Sequence, residues 1–587
     1  MIHRSHAAPT ALFLLPVLLL APLAWSDVPK GNENFFESID IDVVNVEVYV
    51  VDRHGRPVAG LTRADFELLE DGKPAEITNF YANAPAEAAP EAAATAPAPS
   101  VRTDGAAPAA AAPPPADQRL NLAVFVDNLN LTPANRNRVL ASLKRFLGTH
   151  LGIGDRVMLA SYDGAAVRIR RPPTNDPAAL GKTLDELAKS APRGNVTSME
   201  MRNLLQEMAR IDITPVSGAV RSFGDERNEA ANFEKPQLDQ AIYLYAQQRF
   251  DETRHTLAAV TDFVDSLAGL PGRKALLYVS GELSLRPGEA LYRARDLKFG
   301  KGDDPPVKDI DAAPLLRTLV DHANANRVTL YGLGAPQDFG NVALQVGGIT
   351  WAHEVESVQS DGLAAALHTI TDHTGGLTEV DLNDPGVFLE HIRGDFGSFY
   401  SLGFSPAHKR DGKLHGIEVR VKARKDVKLR YREAYQDRSG EQRMTSATMS
   451  ALLLGVEENP LGIQLDFDRE SSSGDGTFLV SVMVKLPIAK LVLLPQQRFH
   501  EGRLTIYVGT RDSRGRTSRI NKMSVPVRIP NDQLRASMGK LAAFRVNLLV
   551  RPEEQTVAVG VRDDLGHVDS TVHAAFLPGK LGARSDG

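Results

Sequence analysis

The sequence predicts an α/β fold: a doubly wound domain with a mainly parallel central sheet, flanked by β-sandwich-type domains. Two observations support this prediction. Between residues 119 and 398, strands that are apolar on both faces, such as NLAVFVD (121–127) and ALLYVSG (275–281), alternate with helical segments. This alternation is typical of a parallel sheet covered by helices. Outside that segment, strands alternate polar and apolar residues, as in IDVVNVEVYVVD (41–52), which indicates sheets with one solvated face.

Length, charge and cysteine content limit the possible classes of protein. The chain has 587 residues, a net charge of −6 and no cysteine. A chain of this length exceeds what one hydrophobic core supports, so roughly three or four folded units are expected. The slightly acidic balance provides no basic field for nucleic acid, and we predict no nucleic-acid partner. The lack of cysteine excludes disulfides, thiolate metal sites and a thiol nucleophile.

Residues 1–26 have the pattern of a cleaved secretory signal peptide. A short basic stretch precedes an apolar run from Ala11 to Ala21, and the small residues Ala24 and Ser26 occupy the cleavage positions. The alternative is a membrane anchor, but the run is shorter than the ~20 residues of a span and contains Pro16. We therefore expect a periplasmic or secreted protein with no stable membrane span after cleavage.

Composition divides the remaining chain into segments. Residues 36–82 read as strands, whereas residues 83–118 are mostly Ala and Pro, which predicts an extended, disordered linker. The α/β domain covers residues 119–398. Strands return at 399–436, and since neither strand set suffices for a full sandwich, the two sets can pair into one β-domain around the inserted α/β domain. Residues 440–587 are again strand-rich, which predicts a C-terminal β-sandwich-like domain.

A candidate site lies where the first strand of the α/β domain ends in Asp127. Ligands of parallel α/β sheets bind at the carboxyl ends of the strands, so this acid could belong to a metal or polar-ligand site. The alternative is that Asp127 caps the helix that begins near Thr132-Pro133, or accepts hydrogen bonds from loop amides. In both cases the acid needs a partner, because an unpaired buried carboxylate is costly.

The order of the elements resembles a known family. Segment 119–398 resembles a von Willebrand factor type A (vWA) domain, which has a Rossmann-like doubly wound fold. The preceding DRHGRPVAGLTRADFELLEDGKPAEITNF (52–80) and the following FYSLGFSP (399–406) and GIEVRVKARKDVKLRYREAY (416–435) are similar to the bacterial VWFA-related proteins first described from Acidobacteria. The resemblance covers about residues 38–436.

The resemblance implies a metal-ion-dependent adhesion site at the end of the first strand. In that superfamily the site has the motif D-x-S-x-S, a threonine in a later loop and an aspartate after the fourth strand. Mg²⁺ prefers hard oxygen ligands in octahedral geometry and keeps one position for a partner's carboxylate. Here Asp127 takes the first motif position, but Leu129 and Leu131 take the serine positions and offer no oxygen. The implied site is therefore degenerate.

The remaining ligands that the resemblance implies come from two later segments. Thr197 aligns with the loop threonine, and Glu282, or alternatively Ser280, aligns with the fourth-strand ligand. The degenerate metal site would then consist of Asp127, Thr197 and Glu282, and the ion that it would hold weakly is Mg²⁺ or Ca²⁺. No other cofactor is predicted. The expected binding surface around this site comprises Asn128, Asn130, Thr132 and Ser280.

The sequence favours a protein that binds another protein and has no enzymatic activity. It contains no G-x-S-x-G elbow, H-E-x-x-H motif, P-loop or G-x-G-x-x-G after a strand. We therefore expect an exported, adhesion-type vWA protein that acts through protein–protein interaction with an unidentified partner. One alternative is a metal-dependent hydrolase that uses the same strand-end site, and another is a purely structural module of an envelope or secretion assembly.

Overall fold

The computed structural model describes residues 43–83 and 119–581, apart from short gaps at 152–153, 193, 212–220, 301–309, 337–350, 381–383, 409–410, 423, 425 and 474–475. The predicted signal peptide and nearly all of the predicted linker lie outside the described residues. The chain forms two compact units. One unit contains Asp42–Leu267 and Pro271–Asp437, and the other contains Ala268–Leu270 and Arg438–Gly587.

The first unit begins with four strands. They are β1 (Val44–Val51), β2 (Phe66–Glu70), β3 (Lys73–Ala75) and β4 (Ile77–Asn83). Strands β2 and β3 form a tight antiparallel hairpin, and its two turn residues, Asp71 and Gly72, have φ angles of 48° and 76°. A two-residue hairpin turn needs positive φ at both positions, which the Asp-Gly pair tolerates well.

The α/β domain follows, and its strands alternate with helices as predicted. Its elements are β5 (Leu120–Asp127), α1 (Pro133–His150), β6 (Arg156–Tyr162), β7 (Val167–Thr174), α2 (Pro177–Lys189), α3 (Gly194–Arg210), α4 (Arg221–Ser266), β8 (Arg273–Ser280), α5 (Glu289–Phe299), α6 (Ala313–Ala325), β9 (Val328–Gly334), α7 (Trp351–Asp372), β10 (Thr378–Glu379) and α8 (Pro385–Gly397). Strands β5 and β8 are buried at every position. The prediction of a mixed α/β protein is confirmed.

The six strands of this domain form one sheet in the order β10-β9-β8-β5-β6-β7. Every pair is parallel except β6 with β7. Helices α1, α2 and α8 share a core with one face of the sheet, while Phe263 of α4 contacts Phe125 on the opposite face. The order reverses between β5 and β8, and such a switch point is where doubly wound sheets bind ligands.

A layer of helices with its own apolar core adjoins this sheet. Residues of α3, α4, α5 and α7 form this core, among them Met201, Leu205, Met208, Ile242, Leu291 and Val355. The spacing of Met201, Leu205 and Met208 matches one face of a helix. The family resemblance placed Thr197 in a loop, whereas this apolar spacing makes the segment helix α3.

Strands from both sides of the α/β domain combine into common sheets. The returning strands are β11 (Phe399–Phe404), β12 (Leu414–Val421), β13 (Lys428–Tyr431) and β14 (Ala434–Gln436). The two sheets have the orders β13-β1-β11-β4 and β14-β12-β2-β3. Their inward residues form one core that includes Val46, Val48, Leu68, Leu402 and Val419. Each sheet mixes strands from before and after the α/β domain, so this β-core needs both chain segments.

A buried polar network links the α/β domain to this β-core. Arg430 of β13 donates to the Oδ2 atom of Asp395 in α8 over 2.8 Å, and the same oxygen accepts a hydrogen bond of 3.2 Å from Tyr331 of β9. The guanidinium of Arg430 lies 5.2 Å from the ring centroid of Tyr49. The hydroxyl of Tyr49 accepts a hydrogen bond from Arg273 over 3.3 Å. The network fixes the orientation of the inserted domain.

In its described residues, the second unit is a β-domain with one helix of several turns. After α9 (Gly440–Leu454) come β15 (Gln464–Ser472), β16 (Phe478–Pro487), β17 (Leu494–Pro495), β18 (Phe499–Asp512), β19 (Asn521–Pro530), α10 (Leu534–Ser537), β20 (Leu541–Val550), β21 (Gln555–Asp563) and β22 (Val568–Phe576). One sheet has the order β15-β16-β20, and the other has the order β17-β18-β21-β22 with β19 on β18. Both sheets contribute to a single apolar core.

Helix α9 was absent from the sequence prediction, although its ends carry clear signals. Ser439 and Gln442 form a reciprocal capping box at its start, and Gly455 ends it with a φ of 66°.

Throughout the described residues, no helix combines the length and apolar character that a membrane crossing requires.

Removal of one partner from the network between the α/β domain and the β-core should destabilise the first unit. Substitution of Arg430→Ala leaves the buried acid Asp395 without its charged partner, so we expect the free energy of unfolding to fall by about 3–5 kcal/mol. The control Arg424→Ala breaks an exposed pair with Asp426, which is worth at most about 1 kcal/mol. Urea denaturation measures the free energy of unfolding of each variant. Equally small losses in the two variants would contradict the importance of the buried pair.

Candidate functional site

Asp127 is the last residue of β5, at the switch point of the sheet, and its side chain is 0% exposed. The Oδ1 atom accepts a hydrogen bond from the amide of Leu129 at 3.2 Å. The Oδ2 atom accepts hydrogen bonds from Asn130 Nδ2 at 2.8 Å, Ser280 Oγ at 2.8 Å and Tyr278 OH at 3.1 Å. Two of these donors lie on β8, so the acid ties the two strands of the switch point together.

Burial shifts the pKa values of the acid and of the neighbouring phenol. It raises the pKa of the Asp127 carboxyl above its ordinary value, although hydrogen bonds from Asn130, Ser280 and Tyr278 act in the opposite direction. Burial and the nearby charge of Asp127 raise the pKa of the Tyr278 phenol well above its usual range. Tyr278 therefore remains a hydrogen-bond donor at every physiological pH. The acid is part of a closed polar cluster inside the protein.

The loop after Asp127 is packed closely against neighbouring elements. Leu131 is fully buried in the apolar core on the α1 side of the sheet. A Cβ atom on Gly194, the first residue of α3, would lie 2.5 Å from the carbonyl carbon of Leu131, and a Cβ atom on Gly281 would lie 2.3 Å from the carbonyl oxygen of Asn130. The loop is thus held between α3 and the end of β8, and both glycines are needed for this close approach.

The alternative interpretation made Asp127 the cap of helix α1, but the residue that caps this helix is Thr132. The Oγ1 atom of Thr132 accepts a hydrogen bond of 3.4 Å from the amide of Asn135, and Pro133 occupies the first helical position. Of the two roles in the alternative interpretation of Asp127, helix capping is therefore taken by Thr132. The other role, acceptance from a loop amide, matches the hydrogen bond from Leu129.

The other predicted surface residues are engaged inside the protein. Asn128, Asn130 and Ser280 are buried, and Thr132 is half-buried. Asn128 accepts a hydrogen bond of 3.3 Å from the buried Arg136 of α1. The three buried side chains therefore belong to the interior of the strand-end loop, and of the four only Thr132 is partly exposed to solvent.

Of the two remaining predicted ligands, Thr197 and Glu282, the structure describes the side chain of Glu282 only. Thr197 lies in α3, but its side chain is outside the described residues, so the complete three-residue ligand set stays a prediction. Glu282 follows β8 and lies 3.7 Å from the buried Arg249 of α4, which also pairs with Glu252. Burial raises the pKa of Glu282, and the charge of Arg249 opposes this shift. The positive charge of Arg249 therefore compensates the negative charge of Glu282.

A small cavity lies beside Glu282. It has a volume of about 30 Å³ and its lining includes Met201, Tyr245, Ser284 and Gln359. A water molecule occupies about 30 Å³ of liquid volume, whereas pockets for small organic ligands measure about 300–1,000 Å³. This cavity is therefore close to the size of one water molecule and far smaller than a typical pocket for an organic ligand.

The described donors do not fit Mg²⁺ or Ca²⁺. Such ions need about six oxygen ligands, of which water can supply some, and the side chains of Leu129 and Leu131 offer none. The Oδ2 atom of Asp127 already accepts three hydrogen bonds and its Oδ1 atom accepts a fourth. Asn130 directs its amide NH₂ group, not its oxygen, toward the acid. Among the residues that the structure describes, the switch point therefore offers few open oxygen ligands for a hard cation.

Sequence analysis did not identify two residues of this site, Tyr278 and Arg249. Tyr278 precedes Ser280 by two residues in ALLYVSG, so both side chains lie on the same side of β8. That spacing could have identified Tyr278 as a second donor to Asp127. Arg249 lies within the long helix α4, and nothing in its local sequence indicates that it pairs with Glu282.

Neither a protein-family model nor a curated protein sequence matches this chain. Among solved structures, the ArnB paralog VWA2 from Sulfolobus acidocaldarius, a vWA-domain protein, has 8% identity, covers 78% of this chain and 65% of its own, and gives a TM-score of 0.17. The three N-terminal domains of the type V pili tip protein Mfa5 from Porphyromonas gingivalis have 8% identity and cover 78% of this chain and 70% of theirs, with a TM-score of 0.22.

Proximal thread matrix protein 1 from the mussel byssus is similar at 9% identity, over 47% of this chain and 48% of that chain, with a TM-score of 0.21. This chain therefore spans about half the length of the mussel protein. All these similarities are distant, so the function has to be inferred from the residues of the site.

The raised pKa of Asp127 predicts a specific pH dependence of stability. The folded state keeps a proton that the unfolded state releases above the ordinary carboxyl pKa, so this contribution is complete at acidic pH and is lost as the pH rises through the folded pKa. The Asp127→Asn variant lacks this pH-dependent contribution because it has no carboxyl group at this position. The stability advantage of the wild type over this variant should therefore be largest at acidic pH and shrink toward neutral pH.

Hydrogen exchange of the β5 amides between acidic and neutral pH measures this advantage locally. Asp185→Asn, which removes an exposed acid paired with Lys144 on the domain surface, controls for the loss of one carboxyl group. An advantage over Asp127→Asn that stays constant or grows with pH would show that burial does not favour the protonated acid.

Proposed function

We propose that this chain is an exported, non-enzymatic vWA-like protein that binds a protein partner at the strand-end edge of its α/β domain. The strand order and the acid at the switch point support the vWA-like assignment. Export is supported by the signal-peptide pattern of residues 1–26. In this proposal the adhesion site is degenerate, since Asp127 has an internal structural role and recognition does not use an ion bound to it.

The observation that carries the proposal is a pair of exposed apolar side chains beside this edge. Val196 and Met199 of α3 are 60% and 57% exposed, and residues three apart are neighbours on a helix surface. The first residue of α3, Gly194, lies directly against Leu131 of the strand-end loop. Exposed apolar residues that cluster on a surface are typical of interaction sites. We propose that these two residues contact the partner.

The hydrogen bonding of Asp127 and the small size of the adjoining cavity argue against the hydrolase alternative. A metal-dependent hydrolase needs an ion with an open coordination position for water or substrate. Asp127 already accepts four hydrogen bonds inside the protein, and the adjoining cavity of about 30 Å³ is far smaller than a typical ligand pocket. Binding through an apolar surface requires neither an open ion site nor a substrate pocket.

The proposal predicts which substitutions abolish partner binding. Envelope extract should be passed over immobilised wild type and the double variant Val196→Glu/Met199→Glu. Two charges on the apolar pair should reduce recovery of the wild-type partner by at least about 10-fold, since each removes favourable apolar burial. The recovery should not change when EDTA is added, because the proposed contact uses no ion.

Val387→Glu is the matched control, since Val387 is similarly exposed, at 52%, on helix α8. This variant should recover the partner as the wild type does, and circular dichroism should show all three proteins equally folded. If the Val196→Glu/Met199→Glu variant recovers the same partner in the same amount, the contact surface lies elsewhere. If EDTA removes the partner from the wild type, recognition depends on an ion.

A further inference from the structure

We propose that the β-core carries a binding site for a divalent transition metal of the zinc class, formed by Asp71, His408 and His415. One ligand atom from each side chain lies within 4.8 Å of the other two. The site is formed within the β-core and does not involve Asp127, and it is independent of the proposed partner surface.

The two imidazoles converge on one carboxylate oxygen. The Nδ1 atom of His415 lies 2.9 Å from the Oδ2 atom of Asp71, and the Nε2 atom of His408 lies 3.2 Å from the same oxygen. The two rings are stacked, with centroids 3.9 Å apart and planes inclined by 12°. A bound ion would take the space between these three atoms, and small rotations of the rings would bring both nitrogens to metal-ligand distance.

Asp71 is positioned by backbone contacts. It lies in the tight turn between β2 and β3, where its amide donates to the carbonyl of Gly416 over 3.0 Å. The amide of Gly416 in turn donates to the Oδ1 atom of Asp71 over 2.8 Å. This reciprocal pair occupies one oxygen of the acid and directs the other, Oδ2, toward the two histidines.

His408 is positioned by a buried acid of the same β-core. The amide of Ala407 donates to the Oε2 atom of Glu70 over 3.1 Å, and the other oxygen of Glu70 accepts a hydrogen bond from the buried Tyr435. These contacts fix the segment after β11 beside the β2–β3 turn. Residues that are distant in sequence are therefore held together by the strands themselves.

His415 has the second partner that metal-ligating histidines commonly use. It is almost fully buried on β12, and its Nε2 atom lies 3.1 Å from the Oδ1 atom of Asp411. A carboxylate on the far ring nitrogen fixes the tautomer and the ring orientation, which leaves the near nitrogen free to bind a metal. Asp411 would therefore be a positioning residue, and Nδ1 of His415 would be the ligand atom.

The donor set selects the class of ion. Two imidazoles and one carboxylate suit zinc and related transition metals, whereas Mg²⁺ and Ca²⁺ prefer oxygen ligands alone. The side chains of His408 and Asp71 are 39% and 42% exposed. A metal held by three protein ligands would therefore keep a fourth position open to solvent, which could take water or a carboxylate of a partner.

Calorimetric titration of the purified full chain, without a histidine tag, with Zn²⁺ tests the proposal. We expect one Zn²⁺ per chain, and His408→Ala should weaken the affinity by at least about 100-fold because it removes a direct ligand. Asp411→Asn should weaken it by about 10–100-fold through loss of the orienting carboxylate. Co²⁺ should give the visible absorption of a four-coordinate site in the wild type and lose it in His408→Ala.

His373→Ala is the matched control, because His373 also pairs with an acid, Glu433, at 2.6 Å on the protein surface. It should leave Zn²⁺ affinity unchanged. His408 is partly exposed, so its replacement should preserve the fold, and circular dichroism checks this. The proposal is overturned if the wild type does not bind Zn²⁺, or if His408→Ala and the wild type bind it equally well.

Discussion

The carboxyl group of Asp127 has to be satisfied inside the protein, and this requirement shapes the centre of the α/β domain. A buried acid without partners is strongly destabilising. Here its partners come from β8 and from the loop that follows β5. Because the same group ties two neighbouring strands and a loop at the switch point, it fixes the place where such folds usually bind ligands. The described hydrogen bonds give this position a structural role, and under the proposed function recognition occurs on the surface around it.

The β-core depends on the α/β domain in a similar way. Its sheets mix strands that precede that domain with strands that follow it, so the inserted domain must return the chain to within pairing distance. The buried pair of Arg430 and Asp395 then fixes the orientation of the insertion. This arrangement also creates the histidine cluster, since Asp71 comes from before the insertion and His415 from after it.

Local pattern in the sequence was enough to predict the strand that ends in Asp127 and the alternation of strands and helices, because burial and periodicity are local properties. It was not enough to identify Tyr278 as a partner of Asp127 or the pairing of Arg249 with Glu282, because these contacts join different strands and helices. The grouping of Asp71 with His408 and His415 was invisible for the same reason. Helix α3 was missed because the family resemblance, rather than its apolar spacing, guided the interpretation of Thr197.

The claim that Asp127 is a structural acid and not an ion ligand can be tested most directly by melting the wild type and Asp127→Asn in Mg²⁺, in Ca²⁺ and in EDTA. An ion that binds only the folded state raises the melting temperature according to its occupancy. We predict that any shift caused by either ion is the same for both proteins. A shift in the wild type that is absent in Asp127→Asn would contradict the account.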